Sequence, residues 1–242
     1  MAHRRRFSSL EELNRAIVSC SLCPRLVRYR EEVAGSNPRY RGEKYWSRPL
    51  PGFGDPRAEI VIVGLAPAAH GGNRTGRMFT GDESGNNLAR ALYEAGLASQ
   101  PYSISRDDGL VLRRAYITAS LRCAPPGNRP LASELSNCLP YLEEEIVLLV
   151  NARVFVALGR IAWHQTIKAL SRALSASIRD PGFRHGARVT AESSRGTIAL
   201  LASYHPSPRN MRTGLLTHEM LVGVLLEAIR LADRLRRVIP RG

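Results

Sequence analysis

Glu59-Ile-Val-Ile-Val-Gly64-Leu-Ala-Pro67 decides the fold. Its apolar residues run continuously instead of alternating, as a strand requires when both of its faces are buried. Gly64 and Pro67 then mark the turn that follows. Three more runs share this character: Ala115-Tyr-Ile-Thr-Ala119, Arg153-Val-Phe-Val-Ala-Leu158 and Thr197-Ile-Ala-Leu-Leu-Ala202. Between and after them lie helical patterns near Asn86–Ala95, Ser133–Leu149, Ile161–Leu174 and Leu215–Arg237. Strands alternating with helices specify a parallel sheet with right-handed crossovers. The expected fold is α/β: a single three-layer α/β/α domain over residues 1–242, with a central, mainly parallel four-stranded sheet. Upstream, Ser8 or Ser9 with Glu11 and Glu12 caps a helix running to about Val18. Pro24 to Pro56 is Arg-, Gly- and Pro-rich and aperiodic, and reads as an extended surface segment wrapped over the core.

The 242 residues are 44% hydrophobic, enough for one sizeable core and too apolar for global disorder. Thirty-five basic residues against 21 acidic ones give a net charge of +14, which favours a polyanionic partner. All but Lys44 and Lys168 of the basic residues are Arg. Arg is the better phosphate fork, although an Arg-rich balance also follows from a GC-rich, thermophile-type prokaryotic genome. No apolar run approaches the roughly 18–20 residues that span a membrane. Met1-Ala2-His3-Arg4-Arg5-Arg6 runs into Ser8-Ser9 without an apolar stretch, so it does not read as a signal peptide. The expectation is a soluble, cytoplasmic monomer.

Cys20-Ser-Leu-Cys23 is a C-x₂-C pair, and Cys123 and Cys138 lie far away in sequence. Two such pairs can close one tetrahedral thiolate site holding zinc or a [4Fe–4S] cluster, and spacing does not choose between them. Two disulfides are the alternative, which a reducing compartment disfavours. There is no G-x-G-x-x-G after the first strand, no Walker P-loop and no G-x-S-x-G elbow. The six histidines form no metal-binding pair. Nucleotide-binding and serine-hydrolase readings therefore lack support.

In an open parallel sheet, ligands bind beyond the carboxyl ends of the strands. Those ends carry Gly64-Leu-Ala-Pro67, Gly76-Arg-Met-Phe-Thr-Gly-Asp82, Cys123-Ala-Pro-Pro and His205-Pro-Ser-Pro-Arg-Asn210. With the four cysteines, this ordered set resembles the uracil-DNA glycosylase superfamily, and within it the iron–sulfur branch called type b or family five. The likeness covers most of the chain, from about Cys20 to the last helix. It implies an α/β/α fold and a [4Fe–4S] cluster on Cys20, Cys23, Cys123 and Cys138, which would tie segment 1–57 to the core. It implies a DNA repair enzyme that hydrolyses the N-glycosidic bond of uracil, and of other deaminated bases, in double- or single-stranded DNA. A replication-clamp partner is not legible. The alternative is a non-catalytic iron–sulfur or zinc nucleic-acid-binding module, which leaves the loop ends unexplained.

Base excision passes through an oxocarbenium-like state with a departing anionic base, and it needs nearby negative charge, an oriented water and leaving-group stabilisation. The second position of the first motif, polar or acidic in related branches, is Leu65 here and cannot activate water. Asp82 is the candidate for that role, with Glu83 beside it; Asp82 also reads as a helix N-cap. His205 suits hydrogen bonding to the leaving base, and otherwise reads as a loop histidine. Asn128 could hold water or a base edge, or be a Gly-Asn turn residue. Phe79 is the candidate stacking platform for a flipped base, or core filling. Backbone amides around Ala66 could receive a phosphate or carbonyl. Ser207, Arg209, Asn210 and Arg212 could grip DNA, or form a solvated basic loop. Ala119 stands where a sister branch carries a base-reading Asn, which predicts a wider pocket and excision of hypoxanthine, xanthine or modified uracils besides uracil.

Overall fold

The structure, a computed structural model, describes residues 6–237, so Met1 to Arg5 of the leader reading lie outside the described residues. The chain runs α1 (Leu10–Val18), α2 (Pro24–Glu32), β1 (Phe53–Gly54), β2 (Ile60–Gly64), α3 (Gly72–Thr75) and α4 (Glu83–Glu94). It continues through β3 (Ala115–Ala119), α5 (Ala132–Leu148), β4 (Val154–Leu158), α6 (Arg160–Leu174), β5 (Arg188–Ala191), β6 (Ile198–Ser203), α7 (Pro208–Arg212) and α8 (His218–Arg237).

The four expected strands are present, and β3-β2-β4-β6 pair in parallel at the centre. Every residue of these four is buried, so their unbroken apolar runs serve two cores. Ile60, Ile62, Val154, Val156 and Leu201 face α4 and α8, while Val61, Val63, Phe155, Ala157 and Leu200 face α5 and α6. The pleat sends alternate residues to opposite layers.

The four-strand expectation is corrected to six, because antiparallel β1 and β5 close the two edges. Both are hard to see in the sequence. β1 is two residues long, and β5 (Arg-Val-Thr-Ala) lies at the solvent-exposed edge, where polar residues are favoured.

The reading of Pro24–Pro56 as wholly extended is also corrected. α2 begins there with Pro24 at its first turn, followed by a 3₁₀ turn at Pro38–Tyr40. Only Leu26 and Arg30 of α2 are buried, four residues apart on one narrow stripe, so the helix hides in a charged text. α1 is held by apolar contacts of its own: Leu13 and Ile17 pack with Leu148 and Tyr141 of α5. No helix among the described residues is long and apolar enough to cross a membrane.

A buried ion pair sits under the sheet. Arg122 and Glu145, respectively 1% and 0% exposed at the side chain, pair through two guanidinium nitrogens. Thr118 Oγ1 donates to Glu145 at 2.6 Å, and the Arg122 carbonyl accepts from Leu50 N–H.

Candidate active site

The turns after β2, β3 and β6 converge with the start of α4 on a cavity of about 350 Å³. It is lined by Leu65, Ala66, Ala68, Phe79, Asp82, Ser84, Asn128, His205, Ser207 and Pro208. The placement follows the open-sheet rule, since no ladder continues past the strand ends and the backbone there is free to diverge.

Asp82 is the N-cap of α4, with extended backbone, and its Oδ1 accepts the Gly85 N–H at 2.8 Å. The capping reading of Asp82 is borne out, and the same side chain lines the cavity. Burial pushes its carboxyl above the usual carboxylate range, while the Gly85 and Ser84 amides and the Arg74 charge pull the other way. The second oxygen lies against Gly71, where any Cβ would overlap it. Glu83, its neighbour, is exposed and paired with Arg212 at 2.8 Å, so it points away from the cavity.

Phe79 adopts a left-handed backbone, φ +48°, between a strand end and a helix start that both lack side chains. A Cβ on Gly64 would stand 2.6 Å from the Phe79 ring, and one on Gly85 would overlap its carbonyl. The two glycines allow the ring to lie over the end of β2. Phe79 stacks with His205 at 5.8 Å between centroids, 30° apart. Loss of hydration pushes His205 down to about 4, so the imidazole is neutral at pH 7. Its carbonyl accepts from Asn210 Nδ2 at 2.8 Å and from Ser207 N–H at 2.8 Å, and Pro206 O accepts from Asn87 of α4 at 3.1 Å. These bonds fix the histidine loop to the helix that Asp82 caps.

The other expected residues divide. Asn128 lines the mouth, exposed and at φ +57°, and Ala66 lines the wall. Ala119 does not line the cavity. It pairs with Gly64 in the ladder and is buried in the α4/α8 core, on the face it shares with Ala115 and Ile117. Ser207 and Asn210 shape the loop: the Ser207 hydroxyl caps α7, and Asn210 holds the His205 carbonyl. Arg209 and Arg212 are exposed on α7 beside the cavity. Ala68, Ser84 and Pro208 line the cavity as well, and Gly71 shapes it. None of the four was singled out from sequence, because residues without an ionisable or aromatic side chain carry no chemical signature.

The cysteines gather at one place. Cys123 and Cys138 are buried with Leu26 and Leu121, and Cys23 packs against them. Burial pushes the Cys123 thiol up to about 11 and the Cys138 thiol up to about 12. Arg30, 7% exposed, directs Nη1 to Cys123 Sγ at 3.3 Å and to Cys20 O at 3.4 Å. Its Nε has no partner among the described residues. A buried guanidinium facing sulfur, with a donor to spare, suits a thiolate-bound anionic group at this point. No three His, Cys, Asp or Glu side chains among the described residues stand at metal-ligand spacing. The thiols thus share one apolar site without closing on a common centre.

Comparison with known proteins gives the same direction. The model of the uracil DNA glycosylase superfamily matches residues 51–228. A type-5 uracil-DNA glycosylase of Thermus thermophilus is 51% identical over 92% of this chain and 98% of its own length. A type-5 enzyme of Pyrobaculum aerophilum is 50% identical over 88% of each chain. A type-4 uracil-DNA glycosylase of the same archaeon is 30% identical over 82% of this chain and 83% of its own.

Proposed function

The chain belongs to the uracil DNA glycosylase superfamily, and from that premise we propose that it hydrolyses the N-glycosidic bond of uracil in DNA and leaves an abasic site. The observation that carries this reading is the meeting of a desolvated carboxylate, a neutral imidazole and an aromatic platform in one cavity at the strand ends. Asp82 supplies negative charge beside the developing oxocarbenium ion and orients the attacking water through the oxygen not used in capping. Neutral His205 donates a hydrogen bond to the base carbonyl as charge moves onto the leaving group. Phe79 stacks the flipped base, and Ala66 amides and Asn128 contact its edge or a neighbouring phosphate. Arg209 and Arg212 bind the DNA backbone, with Ser207 and Asn210 holding their loop.

Cys20, Cys23, Cys123 and Cys138 would hold a [4Fe–4S] cluster, with Arg30 offsetting its charge. When bound, the cluster supplies a structural tie between α2 and α5 and takes no part in excision. Among the described lining residues the only side-chain amide is Asn128, at the exposed mouth. A cavity with so few fixed donors discriminates weakly between bases, which supports slower excision of hypoxanthine and xanthine. Ala119, lying outside the cavity, does not carry this reading. The bacterial and archaeal relatives and a DNA substrate support an intracellular location, and the chain is read as a monomer.

The test is a duplex with a single uracil opposite guanine, incubated with the protein and cleaved with alkali. Strand scission that depends on the uracil is expected, and scission absent at stoichiometric protein would reject the assignment.

A further inference from the structure

One side of the molecule is basic in a way the cavity does not explain. The strap of residues 38–50 lies over α3, held by Trp46 N–H on Arg74 O at 3.0 Å and Ser47 N–H on Asn73 O at 3.1 Å. Tyr45 Oη and His70 Nδ1, 2.9 Å apart, pin its middle. Arg39, Arg41, Lys44 and Arg48 of the strap, Arg15 of α1 and Arg106 are all exposed. Among the described residues none of the six pairs with a carboxylate, and Glu43, the acid of the strap, is taken by Arg74 at 2.7 Å. Some exposed arginines elsewhere are paired, as in Arg188–Glu227 and Arg212–Glu83, so the lack of a partner on the strap is a property of its setting and not of exposure alone.

The rings of the strap hold guanidinium groups in place. Arg74 lies 4.0 Å and Arg39 5.6 Å from the Tyr40 centroid, and Arg106 lies 5.0 Å from that of Trp46. Trp46 also lies against Gly76, whose φ of +81° and missing Cβ give the ring its place. An arginine already laid on a ring loses less rotamer freedom when it meets an anion. Two open depressions, about 400 and 430 Å³, meet at Trp46 and Arg48. This surface adjoins the cavity, because Arg74 also donates to Gly81 O at 3.0 Å, one residue before Asp82.

We propose that the strap, with Arg15 and Arg106, is a second phosphate-binding surface that carries the substrate DNA backbone beyond the cavity, apart from the α7 arginines. The occupant is the sugar–phosphate chain. Six exposed cations, outside any ion pair among the described residues, suit its repeated negative charge, and the rings of Tyr40 and Trp46 already carry guanidinium groups. The proposal rests on the DNA reading above.

The experiment measures the full protein on an undamaged duplex across 50–200 mM salt, so the readout does not depend on excision. Arg48→Ala/Arg106→Ala should lower the slope of log K against log salt by about 1.8, making the affinity loss over that range about twelvefold smaller than for the parent. Arg48→Lys/Arg106→Lys should restore the slope. Arg57→Ala/Arg236→Ala removes the same charge from the amino ends of the strands and should change the slope by less than half as much. An unchanged slope in the strap variant, or equal drops in both alanine variants, overturns the proposal; the first result is also what an acidic protein partner in place of DNA would give. Either result with uracil excision intact rejects the strap alone, whereas failure of the parent to bind or cleave DNA rejects both readings.

Discussion

Gly71 and Asp82 touch across eleven residues of chain, and the carboxylate occupies the space where any other residue would carry its Cβ. The contact fixes one oxygen of Asp82 while the other caps α4 through Gly85. Gly71→Ala should therefore displace the carboxylate without emptying the core. Single-turnover excision should fall by about 10²-fold or more, the scale of a lost positioned acid or base, while the thermal midpoint moves little.

Asp82→Asn separates the two roles of this residue, since the amide oxygen still accepts from Gly85 N–H. Burial raises the Asp82 pKa, so the folded state holds a proton more tightly than the unfolded chain does. The ionised form is thus a stability cost above the raised pKa, relieved as pH falls through it. The variant should be at least as stable as the parent at pH 7, yet lose about 10²–10⁴-fold in excision rate. Calorimetry and single-turnover kinetics on the same preparation check both halves.

His205 gives the opposite pH signature. Its pKa falls from the ordinary 6.5 to about 4 on folding, so between those values the unfolded chain binds more protons. The stability it contributes is complete above pH 6.5 and drains away as pH falls towards 4. His205→Asn should flatten that part of the stability–pH curve and also slow excision. A parent rate that drops through pH 6.5, instead of near 4–5, would show that the histidine is hydrated and charged in the working enzyme.

Glu145→Ala leaves the Arg122 guanidinium buried without a counter-charge and should cost about 3–5 kcal/mol, read as a lower urea midpoint at constant slope. Arg122→Met/Glu145→Met, which removes both charges, should cost less than the single variant. A reversed order would mean that water reaches the pair.

Cys138→Ala should lose iron content, absorbance near 400 nm and thermal stability together, because as a cluster ligand Cys138 would tie α5 to the segment that carries Cys20 and Cys23. Tm should fall more than the excision rate per folded molecule. A brown, equally stable variant would reject Cys138 as a ligand.

Much of the architecture was legible because burial on two faces leaves a one-dimensional trace. β2, β3, β4 and β6 match the four apolar runs to within about one residue at each end, since any polar residue there would face a core. That Asp82, Phe79, Asn128 and His205 would share one cavity was legible because loops after parallel strands gather at one end of a sheet. α2, β1 and β5 were not, because each buries little or borders solvent, and their sequences are under no pattern that periodicity detects.

The sequence by itself determined the layered sheet, the positive charge and the set of reactive side chains. Those follow from composition and from the alternation of strand and helix patterns along neighbouring residues. Tertiary structure decided which of these side chains act together: that Gly71 makes room for Asp82, that Glu83 turns to Arg212, and that Ala119 faces the core while Phe79 and His205 stack over the strand ends. Each is a contact between residues brought close only by sheet pairing and helix docking. Pleat and packing set the direction of a side chain, and no local pattern records where its distant neighbour will stand.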